Sequence, residues 1–149
     1  TELERDAVAA RAQEAEATAQ AAQLERDTFL LRRYSAIQYI EAARDRSLRE
    51  LDIRIAILSG QRDTLSQQLA RHQSALDTTE QSGAASPQYE EETVAALKAE
   101  IQSLDEASEG RQQQAAALAE AYSRDIARFA ELEEIVALRR QMSVTPPSP

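Results

Sequence analysis

Apolar residues recur at alternating steps of three and four along most of this chain. From Ser47 to Leu76 (SLRELDIRIAILSGQRDTLSQQLARHQSAL) the a positions of a heptad are Leu48, Ile55, Arg62, Leu69 and Leu76, and the d positions are Leu51, Leu58, Leu65 and His72. Such a stripe predicts a helix whose narrow apolar seam is meant for another helix. A second series supplies the partner: Val94, Leu97, Ile101, Leu104, Ser108, Arg111, Ala115, Leu118, Tyr122, Asp125, Phe129, Leu132 and Val136. Between the two, residues 82–87 (SGAASP) read as a turn. Ser86 suits an N-cap, Pro87 suits the first helical position, and Glu90, Glu91 and Glu92 complement the positive end of a helix dipole. Folding the chain about residue 85 keeps both series in phase, with Leu76 facing Val94, Leu69 facing Ile101, Leu65 facing Leu104, Leu51 facing Leu118 and Leu48 facing Tyr122. The expected fold class is all-α, a long antiparallel coiled-coil hairpin.

A third helix precedes it. Thr1 and Glu4 form a capping box, and the Ala-rich stretch that follows runs to about Arg33. Its expected inward positions are Leu3, Ala7, Ala10, Glu14, Ala17, Ala21, Leu24, Thr28 and Leu31. Alanine lets helices approach closely but buries little apolar area, so each heptad contributes weakly. Phe29, Leu30 and Leu31 are its densest apolar patch, and Ser35 with Gln38 repeats the capping-box pattern, which predicts a break at Tyr34 and Ser35. The expected organisation is therefore an Ala-rich helix over residues 1–34, the hairpin over 35–142 and a disordered Pro-rich tail over 143–149. Gly60 and Gly110 are weak points within the long helices.

The register makes sharper statements about polar positions. Arg44 falls opposite Asp125 and Glu41 near Arg128, a charged layer that would set register more than it would stabilise. Arg62 faces Ser108 and Leu58 faces Arg111, so the middle of the hairpin is expected to pack loosely. Ile53 and Ile57 lie off the seam and need a second cover, from the first helix folded back over them or from a second chain. Met142 falls near residue 28, so a straight first helix would project past the base of the hairpin. These features predict a homodimer, with Leu24, Phe29, Leu31, Ile53 and Ile57 as contact residues.

Composition narrows the function. Of the 149 residues 42% are apolar, but many of these are alanine, which suits long helices better than a thick core. A net charge of −9 disfavours nucleic acid and anionic lipid as partners. No run approaches a membrane span. The one methionine, Met142, lies near the end, so the chain is expected to be a mature or trimmed piece. Without cysteine there is no disulfide, thiolate metal site or cysteine nucleophile. His72 has Gln68, Leu69 and Leu76 where further metal ligands would stand, so it reads as a seam residue. No nucleophile elbow or glycine-rich phosphate loop is present. No catalytic residue, cofactor or metal is expected, and neither is enzymatic activity.

The segments FLLRRYSAIQYIEAARDRSLRELDIRI and AYSRDIARFAELEEI resemble a group of uncharacterised proteobacterial cell-envelope proteins with a long helical hairpin. The matching residues are Leu30, Leu31, Tyr34, Ser35, Ile40, Ala43, Arg44, Asp45, Arg46, Asp125, Ile126, Ala127, Arg128 and Phe129. The resemblance covers about residues 25–133 and leaves out the Ala-rich helix. It implies a periplasmic location and no established activity. The expected function is a non-enzymatic structural or scaffolding module that self-associates and docks protein partners. The alternative is a chaperone-like or adaptor module that holds a client on an exposed apolar helix face.

Overall fold

The structure, a computed structural model, describes residues 1–83 and 88–144. The fold is all-α: helix α1 spans Glu2–Arg33, α2 Ile37–Ser82 and α3 Gln88–Val144, with no strand among the described residues. Ala, Glu, Gln, Arg and Leu dominate all three, and these side chains lose little freedom in a helix. The chain packs as two units, one of Thr1–Ala43 with the stretch from Ala121 onward, the other Arg44–Glu120. Both divisions fall inside helices and not at the junction near Tyr34 that the sequence marks.

Local chemistry explains each helix end. Glu4 reaches back to the backbone nitrogen of Thr1 at 3.4 Å, and Arg32 and Arg33 occupy the last turn of α1, where the dipole favours cations. Tyr34 leaves the helix in an extended conformation (φ −123°, ψ 136°), its N–H donating to the Leu30 carbonyl at 3.0 Å. The break expected at Tyr34 and Ser35 is where the helix stops. One turn on, the Tyr39 N–H donates to the Ala36 carbonyl at 3.1 Å as α2 begins. At the far end of α2, Gly83 takes φ +68°, and its N–H donates to the Glu80 carbonyl at 3.3 Å. A residue with a Cβ is strained in that left-handed conformation, so glycine is the natural stop. Of the expected turn, Ala84–Pro87 lie outside the described residues, as do residues 145–149 of the expected tail. Helix α3 continues to Val144, two residues past the expected boundary at 142, so Ser143 and Val144 belong to the helix and not to a disordered tail, with the Ser143 hydroxyl donating to the Arg140 carbonyl at 3.0 Å.

Within the Arg44–Glu120 unit, α2 and α3 run antiparallel. His72 contacts Glu90 at 2.6 Å and Arg62 donates to Asp105 at 2.5 Å, so positions falling along α2 meet positions rising along α3. Leu51, Leu76, Val94, Leu97 and Ile101 are buried there, and Leu48, Ile55, Leu58, Leu65, Leu69, Leu104, Ala115 and Leu118 are half-buried. Arg62 meets Asp105 one turn away from Ser108, the residue set opposite it by the seam. Its long side chain stays exposed and follows the nearest carboxylate rather than entering the seam. A shallow groove of about 490 Å³ opens beside it, lined by Gln61, Thr64, Leu65, Glu100, Ser103 and Leu104.

The helical glycines support one prediction. A Cβ built on Gly60 or Gly110 would meet nothing within 4 Å. Gly60→Ala and Gly110→Ala should each raise unfolding stability by about 0.8–1 kcal/mol, because alanine restricts the unfolded chain and clashes with nothing. Urea melts of the two variants should show higher midpoints at an unchanged slope; a lower midpoint would mean that the glycine is needed for a bend or a close contact.

Candidate interaction surfaces

The unit of Thr1–Ala43 with the stretch from Ala121 onward holds the tightest packing. Leu30 of α1 and Ile40 of α2 are fully buried, and Phe129 of α3 is 2% exposed against them. Tyr34, Ile37, Tyr122 and Ile126 close around this cluster. The extended turn at Tyr34 places the last turn of α1 and the first of α2 on the same short stretch of α3.

Two guanidinium–carboxylate pairs fasten α1 to α3. Arg128 donates to Asp27 through Nε at 2.9 Å and Nη2 at 2.8 Å, a two-pronged pair, while its Nη1 donates to Glu131 at 2.8 Å. The Asp27 carboxylate is largely shielded, with 14% of its side chain exposed. The hydrogen bonds from Arg128 hold the Asp27 carboxyl below its ordinary range, outweighing the opposing effect of burial, and Gln23 helps. The same bonds to Asp27, with Glu131 adding to them, raise the Arg128 guanidinium. One turn before, Arg26 donates to both oxygens of Asp125, through Nε at 3.2 Å and through Nη2, and its guanidinium lies 5.2 Å over the centre of the Phe29 ring.

These contacts correct two expectations. The register puts the charged layer between α2 and α3, yet Asp125 and Arg128 take partners from α1, and Arg44 donates to its neighbour Asp45 at 3.0 Å. Glu41 is exposed. The cause is that α1 returns onto α3 and brings Arg26 and Asp27 to the two charges first. Only the last turns of α1, from Arg26 onward, are docked in this way; the residues before them are exposed, as expected of a first helix that runs on with nothing to pack on. The inward face expected for α1 is also wrong within this chain. Leu30 is the residue it buries; of the expected positions Thr28 is half-buried, whereas Leu3, Ala7, Ala10, Glu14, Ala17, Ala21, Leu24 and Leu31 are all exposed.

The contact residues expected from sequence are all accessible. Leu24, Phe29 and Leu31 are 67%, 48% and 44% exposed, and Ile53 and Ile57 are 54% and 55% exposed. Every residue of α1 before Asp27 is exposed. His72 is half-buried and bonded through Nδ1 to Glu90, a partner that the sequence reading missed, having placed Glu90 only on the helix dipole. Among the described residues no group of three or more His, Cys, Asp or Glu side chains is arranged to hold a metal ion, and no helix is long and apolar enough to cross a membrane. Comparison with protein-family models, curated proteins and solved structures returns no match to this chain.

Proposed function

We propose that this chain is a non-enzymatic structural module of the bacterial envelope that self-associates and docks protein partners. The observation that carries this reading is the state of α1. A helix exposed along its first 25 residues, with Leu3 and Leu24 82% and 67% exposed, gains almost nothing from its own chain before Arg26. Isolated helices are marginal in water even when Ala-rich, so a partner surface would account for a helix kept this long. The resemblance to envelope proteins supplies the compartment.

Light scattering on the full chain tests the reading. The expected mass is twice the 16.5 kDa of one chain. Leu24→Glu, which places a charge on an exposed position of α1, is expected to shift the chain to monomer without loss of helicity. A monomer at every concentration would sink the proposal.

The exposure of Ile53 and Ile57, off the seam of α2, favours a second reading, a chaperone-like or adaptor module. That reading requires the chain to suppress aggregation of an unrelated unfolding protein, and requires Ile53→Ser with Ile57→Ser to abolish the effect; a spacer would leave aggregation unchanged.

A further inference from the structure

We propose that α1 is a homodimerisation helix that pairs antiparallel with α1 of a second copy. The inference rests on the self-association reading above and adds to it the surface and the orientation.

The chain uses one side of α1 for itself. Asp27 and Leu30 face α3, while Ala10, Ala17, Ala21, Leu24, Thr28 and Leu31 lie about 100–180° around the helix from Leu30 at 100° per residue. Apart from half-buried Thr28, all of them are exposed. The stripe is thus turned away from the chain's own packing, and it keeps heptad spacing for the whole length of the helix. Alanine at half of its positions suits the close approach of a second helix.

Charge selects both the occupant and the direction. Number the stripe so that Ala7, Glu14, Ala21 and Thr28 are a positions and Ala10, Ala17, Leu24 and Leu31 are d positions. In an antiparallel pair a meets d, so Ala7 lies by Leu31 of the second copy, Ala10 by Thr28, Glu14 by Leu24 and Ala17 by Ala21. Large residues then fill the space left by small ones. Of the flanking e positions, Glu4 comes against Arg32 and Arg11 against Glu25, each pair occurring twice across the two-fold axis. Arg11, Glu25 and Arg32 are exposed, and Glu4 bonds only the backbone nitrogen of Thr1. A parallel pair would instead set Glu14 directly against Glu14 within the seam. One of its two charge pairs, Asp27 with Arg32, would also draw on a carboxylate already bonded to Arg128. Like charges in a seam oppose association, so the antiparallel pair wins.

The chain has no cysteine, so a single introduced thiol carries a spin label without background. Ala9→Cys and Ala22→Cys, both at exposed positions, are labelled in the full chain and the distance between twin labels is measured after circular dichroism confirms helicity. In the antiparallel pair the axis passes near residue 19, so the twins should be separated along the helix by about 30 Å at position 9 and about 9 Å at position 22. Equal distances at both sites would mean a parallel pair, overturning the proposed orientation while leaving self-association intact. A dimer by light scattering with no short distance at position 22 would mean that another surface pairs, which overturns the assignment of α1. A monomer would overturn this inference together with the reading on which it rests.

Discussion

Phe129→Ala is expected to lower unfolding stability by about 3–5 kcal/mol, the usual cost of truncating a buried aromatic ring. The ring is 2% exposed and touches a cluster to which each helix contributes: Leu30 from α1, Ile40 from α2 and Phe129 itself from α3. No alternative packing can collapse into the space without drawing in Tyr34 and Ile37, which sit on the chain reversal. The effect should therefore have a local component. Leu30 is the one buried residue of α1, so losing its neighbour should release that helix before the rest unfolds. Hydrogen exchange should show faster exchange in residues 27–33 of Phe129→Ala even where the chain is still folded. Phe129→Leu, which keeps much of the volume, should cost under about 1.5 kcal/mol. A urea midpoint unchanged by Phe129→Ala would mean that the three helices do not depend on this cluster.

Much of this packing can be read in the sequence, because long amphipathic helices display their buried side at fixed spacing. Each position of the α3 series from Val94 to Val136 is buried or half-buried, including the polar Ser108, Arg111 and Asp125. Along α2 the same holds for all of the assigned a and d positions except Arg62. The signal is strong there because Leu and Ile occur at a and d while charges fill the rest. In α1 it fails. Alanine is spread around that helix, so the leucines alone set the phase, and Leu24 with Leu31 pointed to one side while Leu30 is the residue the chain buries. Adjacent leucines at the end of a weakly patterned helix leave the choice to the tertiary contacts.

The charged residues pair differently from the sequence register for a related reason. A register built on two helices can only pair the charges of those two helices, so it sets Arg44 against Asp125 and Glu41 near Arg128. The break at Tyr34 and Ser35 was legible, but the direction α1 takes after it was not. Once α1 turns onto α3, Arg26 and Asp27 are nearer. A signal was available: Arg26 and Asp27 are a charged doublet beside the densest apolar patch of α1, where a solvated face would not be expected to lie next to a buried leucine.

Removing the Asp27 carboxylate is expected to have the second large effect. Asp27→Asn should lower the thermal midpoint by roughly 2–4 °C, since the uncharged amide cannot accept the paired donation from Arg128. Arg128→Lys should behave similarly although it keeps the charge, because an ammonium cannot match the two-pronged geometry. Placing the charges the other way round, with Asp27→Arg and Arg128→Asp together, should recover part of what either single change loses; no recovery would mean that the two side chains do not act as a pair. The pH dependence follows from the direction of the shift. Asp27 is held below its ordinary value of 3.8, mainly by the Arg128 hydrogen bonds, so the folded state holds its proton less tightly than the unfolded state does. The contribution of the pair is then fully present above that value and disappears as pH falls through the depressed one. The difference in thermal midpoint between the native chain and Asp27→Asn should accordingly be constant from neutral pH down to about pH 5, and should shrink below pH 3.8 as the carboxyl protonates. A difference that persisted unchanged into strong acid would show that Asp27 acts through its shape and packing, and that the ion pair with Arg128 contributes nothing to docking α1.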